Sequence, residues 1–212
     1  MNIILATTNP GKLRDFRAII ATNAFTFRGE PIVLGMLPSS ALQPAPIESG
    51  STFEENAWIK AFVYSKRLSG EFVLADDSGI EIDALGGAPG VHSARYAALK
   101  SGGSSVPGNA DDQANNDCVL REMRTVPDAL RTGRFVCALV LAKHGERLAS
   151  VRGTVEGHIL RERRGASGFG YDPLFYLPEL GKTFAEISAE EKSAYSHRGR
   201  AFRELMRSLN AG

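Results

Sequence analysis

Phe72-Val73-Leu74-Ala75-Asp76-Asp77-Ser78-Gly79-Ile80-Glu81-Ile82-Asp83 carries an apolar run straight into two adjacent carboxylates, and the reading of that junction decides the fold. A strand that buries Val73 and Leu74 and presents Asp76 and Asp77 at its end has the form of a metal-carboxylate site. Mg²⁺ or Mn²⁺ is a hard ion, held by one or two carboxylates together with phosphate oxygens of a substrate. The competing reading is a hairpin: Asp-Asp-Ser-Gly is good turn chemistry, and Ile80 and Ile82 alternate as a second strand would. Taken alone, the stretch favours the turn. The rest of the chain arbitrates.

The 212 residues are 43% hydrophobic and 23% charged, the profile of an ordinary soluble globular protein with a substantial core. A formal net charge of +1 gives no general attraction to a nucleic-acid polymer or an anionic membrane. Cys118 and Cys137 lack C-x-x-C spacing, which argues against zinc or a disulfide framework and for a reducing cytoplasm. Ile3-Ile4-Leu5-Ala6 is too short to span a membrane and lacks the basic lead of a signal peptide. With no internal repeat or linker, the expectation is a single domain over residues 1–212.

Upstream, Asn2 to Ala6 reads as a buried strand, followed by the polar loop Thr7-Thr8-Asn9-Pro10-Gly11-Lys12 and a helix from about Leu13 to Ile20. Free backbone N–H groups and the dipole of a helix start receive phosphate, and Lys12 adds charge. A second strand is expected at Ile32 to Leu37, then a loop from Pro38 to Gly50 whose acid is Glu48. Ser51 to Glu54 has a capping-box pattern opening a helix with core positions Phe53, Ala57, Ala61, Tyr64 and Leu68. Asn56 and Lys60, four apart, can be aimed at one ligand.

Leu85 to Tyr96 holds too much glycine and proline for regular structure, and its Arg95 could meet a phosphate. Ser101 to Asn109 reads as flexible, and a helix with no assigned chemistry spans Asp111 to Met123. Arg134 to Ala142 and Arg147 to Glu156 are long strands joined by Lys143-His144-Gly145-Glu146. In Gly168-Phe169-Gly170-Tyr171-Asp172-Pro173, an exposed Phe169 could stack on a base, or Phe169 and Tyr171 could simply cap the sheet. Ser188 to Glu191 repeats the capping box before Lys192, and His197 and Arg198 open a last helix with the apolar stripe Phe202, Leu205, Met206 and Leu209. Basic groups oppose the dipole in a first turn, and an anionic or carbonyl-bearing ligand would explain them.

Six stretches in order carry a close resemblance: Ala6 to Lys12, Gly50 to Ala57, Ala75 to Gly79, Gly86 to Tyr96, Gly168 to Pro173 and Glu191 to Gly199. Together they resemble the inosine triphosphate pyrophosphatase family, the bacterial dITP/XTP pyrophosphatases, over essentially the whole length. The resemblance implies a mixed α/β fold, its long central sheet and flanking helices forming two lobes around a nucleotide cleft, and a homodimer. It implies hydrolysis of ITP, dITP and XTP to the monophosphate and pyrophosphate, with Mg²⁺ as cofactor and Mn²⁺ as a substitute. By the same resemblance Thr7 to Lys12, Asn56 and Lys60 bind the triphosphate, and Asp77 ligates metal and serves as general base. Asp76 stands nearby among the metal-site acids, Ser78 touches substrate, Phe169, Gly170, Tyr171 and Asp172 hold the purine, and Lys192, His197 and Arg198 complete the pocket. Many relatives carry two acids before the Thr/Ser-Gly step, whereas Ile47 here precedes Glu48, which makes Glu48 the candidate substitute for the second metal ligand. The loop from Ala97 to Asn109 is longer than usual for the family.

Three rivals have different consequences: a pyrophosphatase of other base preference, a nucleotide-binding module without turnover, and an RNA binder using Arg161, Arg163 and Arg164.

Overall fold

The computed structural model describes residues 1–102 and 111–211, so most of the stretch read as flexible, and of the long loop from Ala97 to Asn109, lies outside the described residues. The elements are β1 (Asn2–Leu5), α1 (Pro10–Asn23), β2 (Thr26–Phe27), β3 (Glu30–Pro31), β4 (Val33–Met36), α2 (Phe53–Arg67), β5 (Phe72–Ile82) and α3 (Tyr96–Lys100). They continue with α4 (Asp112–Glu122), β6 (Thr132–Lys143), β7 (Glu146–Ile159), β8 (Phe175–Leu177), β9 (Lys182–Thr183), α5 (Ala189–Tyr195) and α6 (His197–Ala211). The fold is mixed α/β. One seven-stranded sheet runs in the order β4-β1-β5-β6-β7-β8-β9, with β2 and β3 forming a separate ribbon.

β1 is parallel to β4 and to β5, with Ile3 opposite Leu34 on one side and Phe72 on the other. Strands enclosed in this way are apolar runs, as Ile3, Leu5, Val73, Leu74 and Ala75 are.

The hairpin reading of Asp-Asp-Ser-Gly is corrected: β5 runs unbroken through Asp76, Asp77, Ser78 and Gly79 to Ile82, and the two carboxylates lie in mid-strand. Local turn chemistry is overridden because both carboxylates are buried against cations supplied from distant parts of the chain.

Three smaller corrections follow from capping and turn chemistry. α1 begins at Pro10 rather than Leu13, with Asn9 as its cap. The first capping box is Thr52 with Glu55, one residue beyond the expected pair, and Ser51 also bonds Glu55. Gly90–Arg95 is a 3₁₀ helix leading into α3, so the glycine- and proline-rich stretch is regular in its second half.

The chain divides into two compact units. The first comprises Met1–Asp77, Cys137–Thr154 and Ser193–Gly212. Its core joins Ile3 and Leu5 of β1, Leu74 of β5 and Leu139 and Leu141 of β6 to Phe16 and Ile19 of α1 and Phe202 and Leu205 of α6. Each large apolar side chain so buried contributes roughly 2 kcal/mol. The Phe202 ring meets Phe16 edge-on at 6.1 Å.

The second unit comprises Ser78–Val136 and Val155–Lys192. Phe135, Phe175 and Phe184 form an aromatic trio at its centre, with Phe175 and Phe184 stacked at 5.5 Å. The buried Arg131 guanidinium donates to the carbonyls of Met123, Ile159 and Leu160, tying the end of α4 to the end of β7. Arg161, Arg163 and Arg164 bind Asp128, Asp117 and Glu186, so that stretch is a neutralised, solvated face rather than a basic strip.

Candidate active site

The residues singled out by sequence fall into two groups, one in each unit. In the first, Asn9 ends the loop after β1: its side-chain carbonyl accepts from the N–H of Gly11 at 2.8 Å and of Lys12 at 3.1 Å, while its own N–H donates to Thr7 Oγ1 at 3.1 Å. This corrects the expectation of free amides at the start of α1, since Pro10 has no N–H and Asn9 takes the next two. The Thr7 and Thr8 hydroxyls, the helix dipole and Lys12 remain as attractions for an anion.

Lys12 Nζ contacts the Asp76 carboxylate directly. Arg198 approaches the same carboxylate at 3.5 Å through Nε and donates through Nη1 to Asp15 on α1 at 2.9 Å. Cys137 donates its S–H to Asp76 Oδ2 at 3.0 Å. Burial opposes the Asp76 charge, yet Lys12 and Arg198 overcome it and hold the carboxyl far below the ordinary range. The Asp76 side chain has no exposed surface, which sets it apart from Asp77 and Glu48 among the expected metal ligands.

Lys60, one turn beyond Asn56 on α2, donates to Asp77 Oδ1 at 2.8 Å and to Glu48 Oε2 at 3.0 Å. Asn56 Oδ1 accepts from the Gly50 N–H at 2.8 Å, and a Cβ on Gly50 would stand 2.6 Å from that of Glu55. The segment carrying Glu48 is thereby pressed onto α2. Ile47 points outward at 83% exposure, so at this step of the chain the acid with a partner is Glu48.

Asp77 and Lys60 shift in the same direction. Burial works against the Lys60 ammonium, but Asp77 and Glu48 together push its pKa up. Burial raises Asp77, and Lys60 and Lys12 do not cancel that while Glu48 adds to it, so Asp77 holds a proton more readily than an ordinary aspartate. Glu48 is also opposed by burial, but the pull of Lys60 brings it below its usual value. Among the described residues no three His, Cys, Asp or Glu side chains gather as a ready-made metal cage.

His197 and Arg198 are both buried at the start of α6, and a Cβ on Gly153 of β7 would fall 2.4 Å from the His197 carbonyl.

The second group centres on residues 168–172. Asp172 Oδ2 accepts from the Phe169 N–H at 2.9 Å and from Lys192 Nζ at 2.6 Å. Gly168, at φ +80°, passes so close to this carboxylate that a Cβ would lie 2.1 Å from Oδ2. The Lys192 ammonium sits 5.0 Å from the centre of the half-buried Phe169 ring. Tyr171 is buried and donates its hydroxyl to the Ser93 carbonyl at 2.8 Å; burial first, then neighbouring acidic groups, lift its pKa well beyond the normal phenol range. Ser93 Oγ in turn accepts from Ile80 N–H at 2.9 Å, in the half of β5 that begins with Ser78.

Sequence reasoning missed two residues here. Asp112 Oδ2 accepts from the Gly170 N–H at 2.7 Å, and Asn116 Nδ2 donates to the Gly170 carbonyl at 2.9 Å. The available signal was the pair Asn115-Asn116, two amides placed amid the apolar face of a helix where Cys118 and Val119 are also buried.

Residues 3–208 match the model of the Ham1 family. The chain belongs to the Ham1 family. Among curated Ham1-type relatives, a dITP/XTP pyrophosphatase of Thermus thermophilus is 46% identical over 212 residues, covering 100% of this chain and 93% of its own length. That of Bacillus subtilis is 41% identical over 98% of this chain and 96% of its own. A solved Ham1 protein of Coxiella burnetii superposes with a TM-score of 0.80 at 37% identity over 100% of both chains. The Staphylococcus aureus Ham1 protein gives 0.76 at 36% identity, over 100% of this chain and 99% of its own.

Proposed function

We propose that this Ham1-family chain hydrolyses non-standard purine nucleoside triphosphates, ITP, dITP and XTP, to the monophosphate and pyrophosphate. The observation that carries the reading is the buried Asp77, paired with Lys60 beside Glu48, its carboxyl pKa raised by burial above the ordinary aspartate value. Such a group is a better general base toward water than an ordinary aspartate. The names of the curated relatives support the substrate class.

A divalent cation fits the first group on charge. Lys12, Lys60 and Arg198 face Asp15, Glu48, Asp76 and Asp77, leaving one negative charge in excess where a triphosphate would have to sit. Asp77 and Glu48 are the residues that would hold Mg²⁺, which would neutralise phosphate oxygens and polarise the reacting phosphorus. Lys60 orients both carboxylates and favours the ionised form of Glu48, and Thr7, Thr8 and Lys12 take the outer phosphates. Phe169 stacks on the purine. A pocket that donates to a 6-keto oxygen leaves its donors facing an amino group when adenine enters, at about 1–3 kcal/mol for each donor left unpaired. His197 and Arg198 are the proposed donors, and homodimeric assembly and a cytoplasmic setting belong to the same proposal.

Product analysis with Mg²⁺ and a panel of ITP, dITP, XTP, GTP, ATP and dUTP tests it. Pyrophosphate plus monophosphate, with ITP and XTP well ahead of ATP, is the expected outcome. Orthophosphate release, a flat base profile or no turnover overturns it.

A further inference from the structure

Gly170 sits at φ +60°, and nothing approaches within 4 Å of where a Cβ would be. Both its polar groups, by contrast, are taken by α4: Asp112 receives the N–H and Asn116 donates to the C=O, from positions four apart on one helix face. Asn116 is 2% exposed, and a second bond from Nδ2 to the Asp112 carbonyl at 2.7 Å fixes its carboxamide in that orientation. α4 also grips the neighbouring turn. Asn115 accepts from the Ala97 N–H at 2.9 Å and donates to the Ala94 carbonyl at 3.3 Å, next to the Ser93 carbonyl that holds the Tyr171 hydroxyl.

Resting on the purine-holding role given above to Phe169–Asp172, we propose that Asp112 and Asn116 are positioning residues for base recognition. The α4 clamp fixes the Gly170 peptide and with it the flanking Phe169 and Tyr171, so that the height of the stacking ring, and through it the pose in which a 6-keto base is told from a 6-amino one, depends on Asp112 and Asn116.

The test compares Asp112→Ala, Asn116→Ala and Asp112→Asn with the wild type. The readouts are kcat/KM for ITP and ATP, calorimetric binding of IMP and AMP, and inhibition by inorganic pyrophosphate, which lacks a base. Both alanine variants are expected to lose about tenfold in the ITP:ATP and IMP:AMP ratios, the size of one lost hydrogen bond. The loss should appear in KM, with pyrophosphate inhibition unchanged. Asp112→Asn keeps an acceptor for the Gly170 N–H and should restore the ratios, which a general loss of stability would not allow. Unchanged ratios in both alanine variants, or pyrophosphate inhibition weakening in parallel, overturn the clamp. A wild type that binds IMP over AMP without releasing pyrophosphate from ITP sinks the proposed activity while the IMP:AMP ratio still decides the clamp; a wild type that binds neither overturns both.

Discussion

The two groups of site residues are held by opposite means. In the first unit, side chains far apart in sequence meet as ion pairs: Lys12 with Asp76, Arg198 with Asp15 and Asp76, and Lys60 with Asp77 and Glu48. In the second, a short loop is secured through its backbone, by Asp172 to Phe169 N–H and by Asp112 and Asn116 to Gly170. A buried charge network is unforgiving, because removing one partner strands another charge away from water. The second group has one buried ion pair, Lys192 with Asp172, but the Gly170 peptide itself is held by single hydrogen bonds, which yield in small steps.

The sharpest way to break this contrast is Asp77→Asn, which keeps the shape and removes the base. Pyrophosphate release should fall about 10²- to 10⁴-fold with nucleotide binding retained, and a rate within tenfold of the wild type would refute the assignment. Next comes Asp76→Asn, which strands Lys12 and leaves Arg198 with Asp15 as its one acidic partner named above, and should cost about 3 kcal/mol in calorimetric unfolding. Its acid limb sharpens the point. Because the folded Asp76 carboxyl titrates below its usual value, the unfolded chain takes up the proton first as pH falls. The wild type should hold this stability above roughly pH 4 and lose it progressively below, and the gap to Asp76→Asn should narrow over that range. A gap independent of pH would mean that the charge is not what matters. The smallest effect is expected from Phe169→Leu, about 1–2 kcal/mol in affinity for the base, read as a higher KM for ITP with kcat preserved; a change confined to kcat would move Phe169 out of the stacking role.

Local signals made several elements legible. The capping box Ser188 with Glu191 forms as expected, α4 spans the predicted helix to within a residue, and the β6–β7 turn falls at Lys143 to Glu146 with His144 and Gly145 at positive φ. β5 was misread at its centre because its continuation depends on Lys12, Lys60 and Arg198, residues that no local window contains. The amides of α1 were expected to be open because a helix start was recognised while the reach of Asn9 over two of them was not. Asp112 and Asn116 escaped because their partner is the backbone of Gly170, and a backbone partner leaves no mark in the sequence.

The cap at Asn9 has a consequence for how a ligand arrives. The first turn of α1 is closed on itself, Thr7 to Asn9 and Asn9 to Gly11 and Lys12, by the chain's own groups. Ordering a free loop of this kind would cost about 1–2 kcal/mol for each residue at the moment of encounter. Here that loss of freedom is borne during folding. An anion proposed to bind at this loop would meet charge and hydroxyl groups held in place rather than open amides.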